Sequence, residues 1–356
     1  MPEKRKARTL LGSLESIAPG TPLRQGVDHI ISARTGALVV IGDVEHVMRL
    51  CDGGFHIDAP FNPQRLFELA KMDGALILNE NADRILWGNV HLQPDPSLPT
   101  TETGMRHRTA ERVARQTGAL VISISQRRDV VSIYQDSEKW VLSDIPVLLD
   151  KANQAIQTLQ RYRDRLDQVS SNLSALEFED LVTLMDVVNV VQRSAMVQQV
   201  ASEIERYISE LGTEGRLVQM QLDELMANVV DDAVMVVRDY AHAGKRPRDA
   251  ISDLVSLSNE ELLDLLQVAR ALGHDGPLQI LDTPAHPKGY RQLRRVPRLP
   301  VAVIERIVAK FENLQAIVRA TADDLDEVEG IGPRRAAAIR DGLTKLKEYN
   351  WLERFA

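Results

Sequence analysis

The sequence predicts a chain of three parts: an α/β domain with a mixed sheet flanked by helices, an all-α middle domain, and a C-terminal helix–hairpin–helix domain. Three patterns indicate this division. Apolar runs of strand length alternate with helix-like segments over residues 1–146, and apolar residues recur with helical spacing over 147–288. Short helices separated by glycine and proline turns occupy 289–356. Alternating strands and helices are typical of a sheet covered by helices.

The first part contains apolar runs that are long enough for strands and end at glycine or charged residues. We expect strands at residues 37–41, 75–78, 84–87, 119–124 and 130–134. Helical spacing predicts helices at 63–72 and 109–117 between them. The segment 93–103 is rich in proline and threonine and is predicted to be a loop.

The middle part changes to a 3.6-residue period. One apolar stripe consists of Leu181, Leu184, Met185, Val188 and Val191, and a second consists of Ile204, Ile208 and Leu211 before Gly212. Such stripes predict the core of a helical bundle, although long helices of this kind also form the spines of oligomers.

Composition excludes several classes of protein. No apolar run reaches the 18 or so residues that a membrane helix needs, and the charged start of the chain is followed by no apolar signal core. A single cysteine, Cys51, excludes a disulfide framework and a paired-cysteine metal site. The sequence therefore predicts a cytoplasmic protein with no membrane partner.

The charge of the chain is unevenly distributed. The net charge is −8, yet residues 286–356 carry 14 Lys and Arg against 10 Asp and Glu. An acidic body with a mildly basic tail favours nucleic-acid contact that is confined to the C-terminus, and hence association with the nucleoid.

The turn Gly330-Ile331-Gly332 is typical of a helix–hairpin–helix motif. Its glycines permit a tight turn with exposed N–H groups, and the helix that follows adds a positive dipole, so the turn can bind a phosphate. Arg334 and Arg335 add charge nearby. Such contacts recognise the backbone rather than the bases, so we expect binding that is largely independent of sequence. The alternative is a purely structural hairpin. An earlier turn, residues 295–300, resembles this one without the glycines.

A second candidate site lies in the α/β part. The segment from Gly104 to Thr109 begins a helix with three basic side chains, which the helix dipole disfavours unless an anion lies among them. A polyphosphate fits that role. The alternative is a solvated basic turn. Asp73-Gly74 opens the apolar run 75–78, and an aspartate before glycine can equally be a simple turn former.

The pair Asp73-Gly74-Ala75 and Arg106-His107-Arg108, in this order and separation, resembles the active-site signature of the diadenylate cyclase family. The surrounding segments DGALILN, NVHLQPD and GMRHRTAER are similar as well. The resemblance extends over essentially the whole chain, because a helical middle and a helix–hairpin–helix end follow the signature.

The resemblance implies a role for each matching residue. Asp73 would bind a catalytic Mg²⁺ or Mn²⁺ and activate a ribose 3′-hydroxyl. Gly74 would lie against the nucleotide, and Leu92 would pack near the adenine. The remaining ATP contacts would come from Arg106, His107, Arg108, Thr109, Ser125 and Arg128. Many relatives have threonine where this chain has Met105, so a hydroxyl contact is lost there, although the backbone N–H remains.

The function implied by the resemblance is condensation of two ATP molecules into cyclic di-AMP, in a homo-octamer whose tail binds branched DNA. Two other classes remain open. The chain could be a DNA-binding scaffold that binds nucleotide without turnover. A nuclease or repair factor is less favoured, because the sequence contains no clustered acidic metal site.

Overall fold

The structure is a computed structural model that describes residues 10–125, 130–242 and 244–355. It divides into two compact units. The first consists of Met1–Gln154 with Glu205–Met220, and the second of Ala155–Ile204 with Gln221–Ala356.

The first unit contains the sheet. The helices among its strands are α1 (Leu10–Ser16), α2 (Pro22–Ser32), α3 (Val44–Met48), α4 (Pro63–Leu69) and α5 (Met105–Thr117). Its strands are β1 (Ala37–Ile41), β2 (Cys51–Asp52), β3 (Phe55–Pro60), β4 (Ala75–Leu78), β5 (Arg84–Leu92), β6 (Leu120–Ile124), β7 (Val131–Gln135) and β8 (Glu138–Val141).

The sheet is mixed, as predicted. Its strand order is β2-β5-β4-β1-β6-β7-β8, with β3 paired to β5. Strands β1 and β4 are parallel, with Leu38 opposite Ala75, and the other pairs are antiparallel. The α/β class that the sequence predicts is therefore confirmed for this unit.

Helices cover both faces of the central strands. Successive side chains of a strand point to opposite faces, so Val39 packs in one core with α2 and α4, and Val40 packs in the other with α5. All five residues of β1, β6 and β7 are buried. Burial on both faces explains why these strands are continuous apolar runs in the sequence.

The elements that follow β8 are helices. They are α6 (Ile145–Glu179), α7 (Leu184–Leu211), α8 (Arg216–Met226), α9 (Val229–Tyr240), α10 (Pro247–Ser256), α11 (Asn259–Leu263), α12 (Leu265–Ala271), α13 (Tyr290–Arg294), α14 (Val301–Phe311), α15 (Leu314–Arg319), α16 (Ala322–Asp326) and α17 (Pro333–Phe355). Two short 3₁₀ helices lie at Gly212–Gly215 and Leu278–Asp282. In the residues described, no helix is both long and apolar enough to cross a membrane.

Several boundaries differ from the sequence-based expectation. The strand expected at 84–87 continues to Leu92. Its pairing with β4 is irregular near Asn89, whose φ is 52°, and resumes at Val90. Strands β3 and β8 were not predicted, because most of their residues are exposed and neither strand is a continuous apolar run. Leu181, assigned to a core stripe, is 63% exposed and precedes α7.

A buried polar cluster joins α13 to α6 and α9 within the second unit. Asp239 accepts hydrogen bonds from the backbone N–H groups of Gly289, Tyr290 and Arg291 at 2.7–2.9 Å. Arg291 is paired with Glu177 at 2.8 Å, and both side chains are at most 2% exposed. Burial and the nearby Glu177 raise the pKa of Asp239 to about 7, against the effect of the three N–H groups.

Candidate functional site

The topology of the sheet brings four separate segments to one edge. Parallel β1 and β4 begin at this edge, and their antiparallel neighbours β6 and β5 end there. Adjacent strands therefore bring together Gly36 before β1, Asp73-Gly74 before β4, Leu92 at the end of β5 and Ser125 after β6. We call these residues the site edge.

Gly74 occupies a position that no other residue fits. Its φ is +90°, in the left-handed region, and an added Cβ would lie 2.8 Å from the carbonyl carbon of Asn89 and 2.9 Å from the nitrogen of Val90. The backbone of β5 thus passes directly beside it. Asp73, immediately before it, is exposed.

Helix α5 begins at the site edge. The guanidinium of Arg106 donates to the carbonyl of Ile124 at 3.5 Å, where β6 ends. A Cβ at Gly36 would lie 2.1 Å from a guanidinium nitrogen of the same arginine, so Gly36 makes room for Arg106. The N-cap of α5 is Gly104, which has no side chain to bond the first-turn N–H groups, and the first turn contains no acidic residue. This helix start is suited to an anion.

The other predicted residues of this site lie on α5 or beside it. Met105 is 83% exposed, Arg108 is exposed, and Thr109 is half-buried. Ser125 is half-buried, and its N–H donates to the carbonyl of Val130 at 2.9 Å. The side chain of Leu92 is 8% exposed and packs in the core on the α5 face. Arg128 lies outside the described residues.

His107 is held by a hydrogen-bonded chain that the sequence did not indicate. Its Nδ1 lies 3.0 Å from the hydroxyl of Tyr134, which is fully buried on β7. That hydroxyl donates to Glu102 at 2.8 Å, and Lys139 of β8 is paired with the same carboxylate. Glu102 and Lys139 gave no sequence signal because they lie in a loop and on an exposed edge strand. Tyr134 was predicted only as part of an apolar run.

The pKa values of this chain of groups favour one arrangement of protons. Burial opposes ionisation of Glu102, but hydrogen bonds from Lys139 and Tyr134 outweigh it and lower the pKa of Glu102. Burial and the adjacent Glu102 raise the pKa of Tyr134. The carboxylate is therefore ionised and the phenol keeps its proton.

A divalent metal fits this site only in company with a nucleotide. Among the residues that the structure describes, no three His, Cys, Asp or Glu side chains are grouped to hold a metal ion. Mg²⁺ is commonly bound by one or two carboxylates with substrate phosphates and water as the other ligands. The exposed carboxylate of Asp73 is compatible with that arrangement.

A second candidate site lies in the C-terminal helices. Gly330 has a φ of +84°, and the N–H of Ile331 donates to the carbonyl of Val328 at 2.9 Å. The side chain of Ile331 is 6% exposed and packs in the core of this region. A Cβ at Gly332 would meet nothing within 4 Å, so the backbone there is open to a partner.

The earlier turn has the same geometry although it lacks glycine. Arg298 adopts a φ of +59° where the later turn has Gly330, and Leu299 is buried as Ile331 is. The N–H groups of Val303 and Ile304 both bond to the carbonyl of Pro300, as those of Arg335 and Ala336 bond to Gly332.

Both turns line one groove of about 800 Å³. Three arginines contribute to its lining, namely Arg298, Arg334 and Arg335. Arg335 also donates to the carbonyl of Gly330, which fixes this side chain against its own turn. The groove therefore combines open backbone with concentrated positive charge.

Comparison with known proteins matches two regions of the chain to described families. Residues 24–139 match the family described as DisA bacterial checkpoint controller nucleotide-binding, and residues 142–281 match the DisA bacterial checkpoint controller linker region.

Three relatives are named DNA integrity scanning protein DisA. That of Carboxydothermus hydrogenoformans is 52% identical, covering 96% of this chain and 98% of the relative. That of Symbiobacterium thermophilum is 54% identical, covering 96% and 97%. That of Clostridium tetani is 50% identical, covering 96% and 95%. With matches of this identity over nearly its whole length, the chain belongs to the family of DNA integrity scanning proteins.

Proposed function

We propose that this protein is a diadenylate cyclase that condenses two ATP molecules into cyclic di-AMP and two pyrophosphates, and that its tail binds branched DNA. One observation carries the catalytic part. The sheet topology gathers Asp73, Gly74 and the uncapped start of α5 at a single edge, in a domain that matches a nucleotide-binding family.

The start of α5 holds the triphosphate. The N–H groups of the first turn, including that of Met105, and the side chains of Arg106 and His107 provide donors at the site edge, and Arg108 and Thr109 add to them from the exposed side. Ser125 and Arg128, which follow β6, supply further phosphate contacts. Gly74 allows the nucleotide to approach the backbone, and Leu92 borders the adenine.

Asp73 acts on the reacting hydroxyl. The 3′-oxygen of one ATP attacks the α-phosphorus of the other, the bond to pyrophosphate breaks, and the hydroxyl proton passes to Asp73 or to solvent. The same exchange in the opposite direction closes the ring. Mg²⁺ or Mn²⁺, held by Asp73 together with the phosphates, would neutralise the negative charge that develops on the phosphate oxygens. No protein nucleophile is required, so positioning dominates catalysis.

Two identical substrates that react symmetrically require two sites that face each other across a two-fold axis. One subunit presents a single site edge, so the active species is a homo-oligomer. The resemblance implies an octamer.

The groove between Arg298 and Arg334 binds the phosphate backbone of DNA. Its open glycine backbone and arginines suit phosphate oxygens rather than base edges, so binding is largely independent of sequence and sensitive to salt. Such a tail would keep the protein at the nucleoid.

The test is a product assay. The full-length chain is incubated with ATP and either MgCl₂ or MnCl₂, and nucleotides are separated by chromatography. We expect cyclic di-AMP and pyrophosphate in a 1:2 ratio. ATP binding without product would instead identify a nucleotide-binding DNA scaffold, and DNA cleavage would identify a nuclease.

A further inference from the structure

The hydroxyl of Tyr134 lies between a carboxylate and an imidazole. It donates its one proton to Glu102 at 2.8 Å, and it lies 3.0 Å from Nδ1 of His107. A phenol offers one donor and two acceptor positions. Because Glu102 is an ionised acceptor, the proton of Tyr134 points to it, and His107 must be the donor.

The direction of these hydrogen bonds fixes where His107 carries its protons. Nδ1 carries one proton, and in the imidazolium Nε2 carries a second, which can be donated to an anion. The ring orientation is fixed by the same contact, since the two aromatic rings lie edge to face with centroids 6.3 Å apart. Tyr134 itself is fully buried and does not reach the solvent side of α5.

We propose that Tyr134 is a positioning residue for His107: its hydroxyl accepts a hydrogen bond from Nδ1–H, and this contact orients the ring so that Nε2–H of the imidazolium donates to the ATP triphosphate. Glu102, paired with Lys139, orients the Tyr134 hydroxyl for this purpose. The inference rests on the proposed function, because it assigns His107 to the nucleotide.

The four hydrogen-bonded residues come from different segments: His107 from α5, Tyr134 from β7, Lys139 from β8, and Glu102 from the loop before α5. The loop is fastened to α5 separately, since Thr100 donates to Glu111 at 2.6 Å and the N–H of Thr101 donates to it at 3.2 Å. A change at Tyr134 therefore removes the link to His107 while the loop keeps its own attachment.

The experiment is a double-mutant cycle on ATP affinity. Tyr134→Phe removes one hydroxyl and keeps the ring, and it is made in the wild-type chain and in His107→Ala. ATP with MgCl₂ is titrated into each protein by calorimetry. We expect Tyr134→Phe to weaken ATP binding by roughly 3–10-fold in the wild type, the range for one lost hydrogen bond, and by less than about twofold in His107→Ala.

The same cycle is run with Glu102→Gln, which keeps the shape of the side chain and removes the ionised acceptor. We expect Glu102→Gln to weaken ATP binding in the wild type as well, and to have less effect in His107→Ala. Tyr207→Phe, a hydroxyl deletion on α7 in the same unit, is the matched control and should leave affinity and turnover unchanged. If Tyr134→Phe does not fold, the cycle with Glu102→Gln tests the same link to His107.

An equal loss in both backgrounds would show that Tyr134 acts on the fold rather than through His107, and an unchanged affinity would also overturn the proposal. Product formation is measured in parallel. If the wild type binds ATP but makes no cyclic di-AMP, the proposed function fails while the binding cycle still decides the role of Tyr134. If the wild type binds no ATP, both fail.

Discussion

Asp73 and Gly74 are neighbours in the chain but contribute different physical properties. Asp73 contributes an exposed charge at the site edge, and its replacement should leave packing intact. Gly74 contributes the absence of a side chain beside the backbone of β5. Variants at the two positions should therefore separate loss of chemistry from loss of structure.

We expect Asp73→Asn to lower cyclic di-AMP synthesis by at least about 100-fold, the usual effect of losing a group that takes part in proton transfer. Thermal unfolding and oligomer size should match the wild type, because no buried contact changes. Asp150→Asn, an exposed aspartate on α6, is the control. Normal turnover in Asp73→Asn would remove this residue from the reaction.

At the scale of elements, Gly53 is a matched control for the close backbone contact at Gly74. Gly53 and Gly74 both have positive φ, but a Cβ at Gly53 meets nothing within 4 Å, whereas one at Gly74 meets backbone at 2.8 Å. Strain in the left-handed region costs about 1–2 kcal/mol at either position. Only Gly74 adds a clash that no side-chain movement relieves.

We accordingly expect Gly53→Ala to lower the free energy of unfolding by about 1–2 kcal/mol and Gly74→Ala to lower it by more. Urea unfolding followed by circular dichroism measures both. Equal effects at the two positions would mean that β4 and β5 can separate locally without cost, contrary to the close approach seen here.

The first C-terminal turn offers a complementary test, because Arg298 occupies a conformation that favours glycine. Arg298→Gly should relieve strain and leave stability within about 1 kcal/mol of the wild type. It should weaken DNA binding and reduce the slope of log affinity against log salt by about 1, as expected for one lost phosphate contact. Arg248→Ala on α10 serves as the control. An unchanged slope would limit DNA contact to the second turn.

At the scale of the whole molecule, activity should depend on assembly. Specific activity should fall when the enzyme is diluted below its oligomer dissociation constant, because one subunit provides one site edge for a reaction that needs two. Light scattering on the same dilution series reports the oligomeric state. Constant specific activity in a population of monomers would contradict the facing-sites proposal.

The link between DNA and synthesis is best tested in the full chain. Deletion after residue 288 would remove Arg291 from its buried ion pair with Glu177 and the three N–H donors from Asp239, and breaking a buried ion pair of this kind costs about 3–5 kcal/mol. A full-length variant with Arg298→Gly, Arg334→Ala and Arg335→Ala avoids that damage.

This triple variant should keep cyclase activity and lose its response to a four-way DNA junction, whereas the resemblance implies that the junction lowers synthesis in the wild type. Coupling of this kind requires that DNA bind two states of the assembly with different affinity. Cyclic di-AMP production is measured with and without the junction. A triple variant that still responds would show that the groove is not the sensor.

The sequence by itself determined the α/β class, the order of the segments and the family. Buried central strands are continuous apolar runs, and Asp73-Gly74 and the start of α5 are local patterns that short-range chemistry imposes. The edge strands β3 and β8 were missed because most of their residues are exposed and neither strand is a continuous apolar run. The family prediction is confirmed by relatives about half identical over nearly the whole chain.

Only the tertiary structure decided which distant residues meet. Gly36 faces Arg106, and Tyr134 with Glu102 holds His107, because sheet order rather than sequence distance brings these segments together. The backbone of Arg298 takes the positive φ of a glycine turn where the next residue, Leu299, is buried in the core. Contacts of this kind depend on packing between segments, which residue types and their spacing do not encode locally.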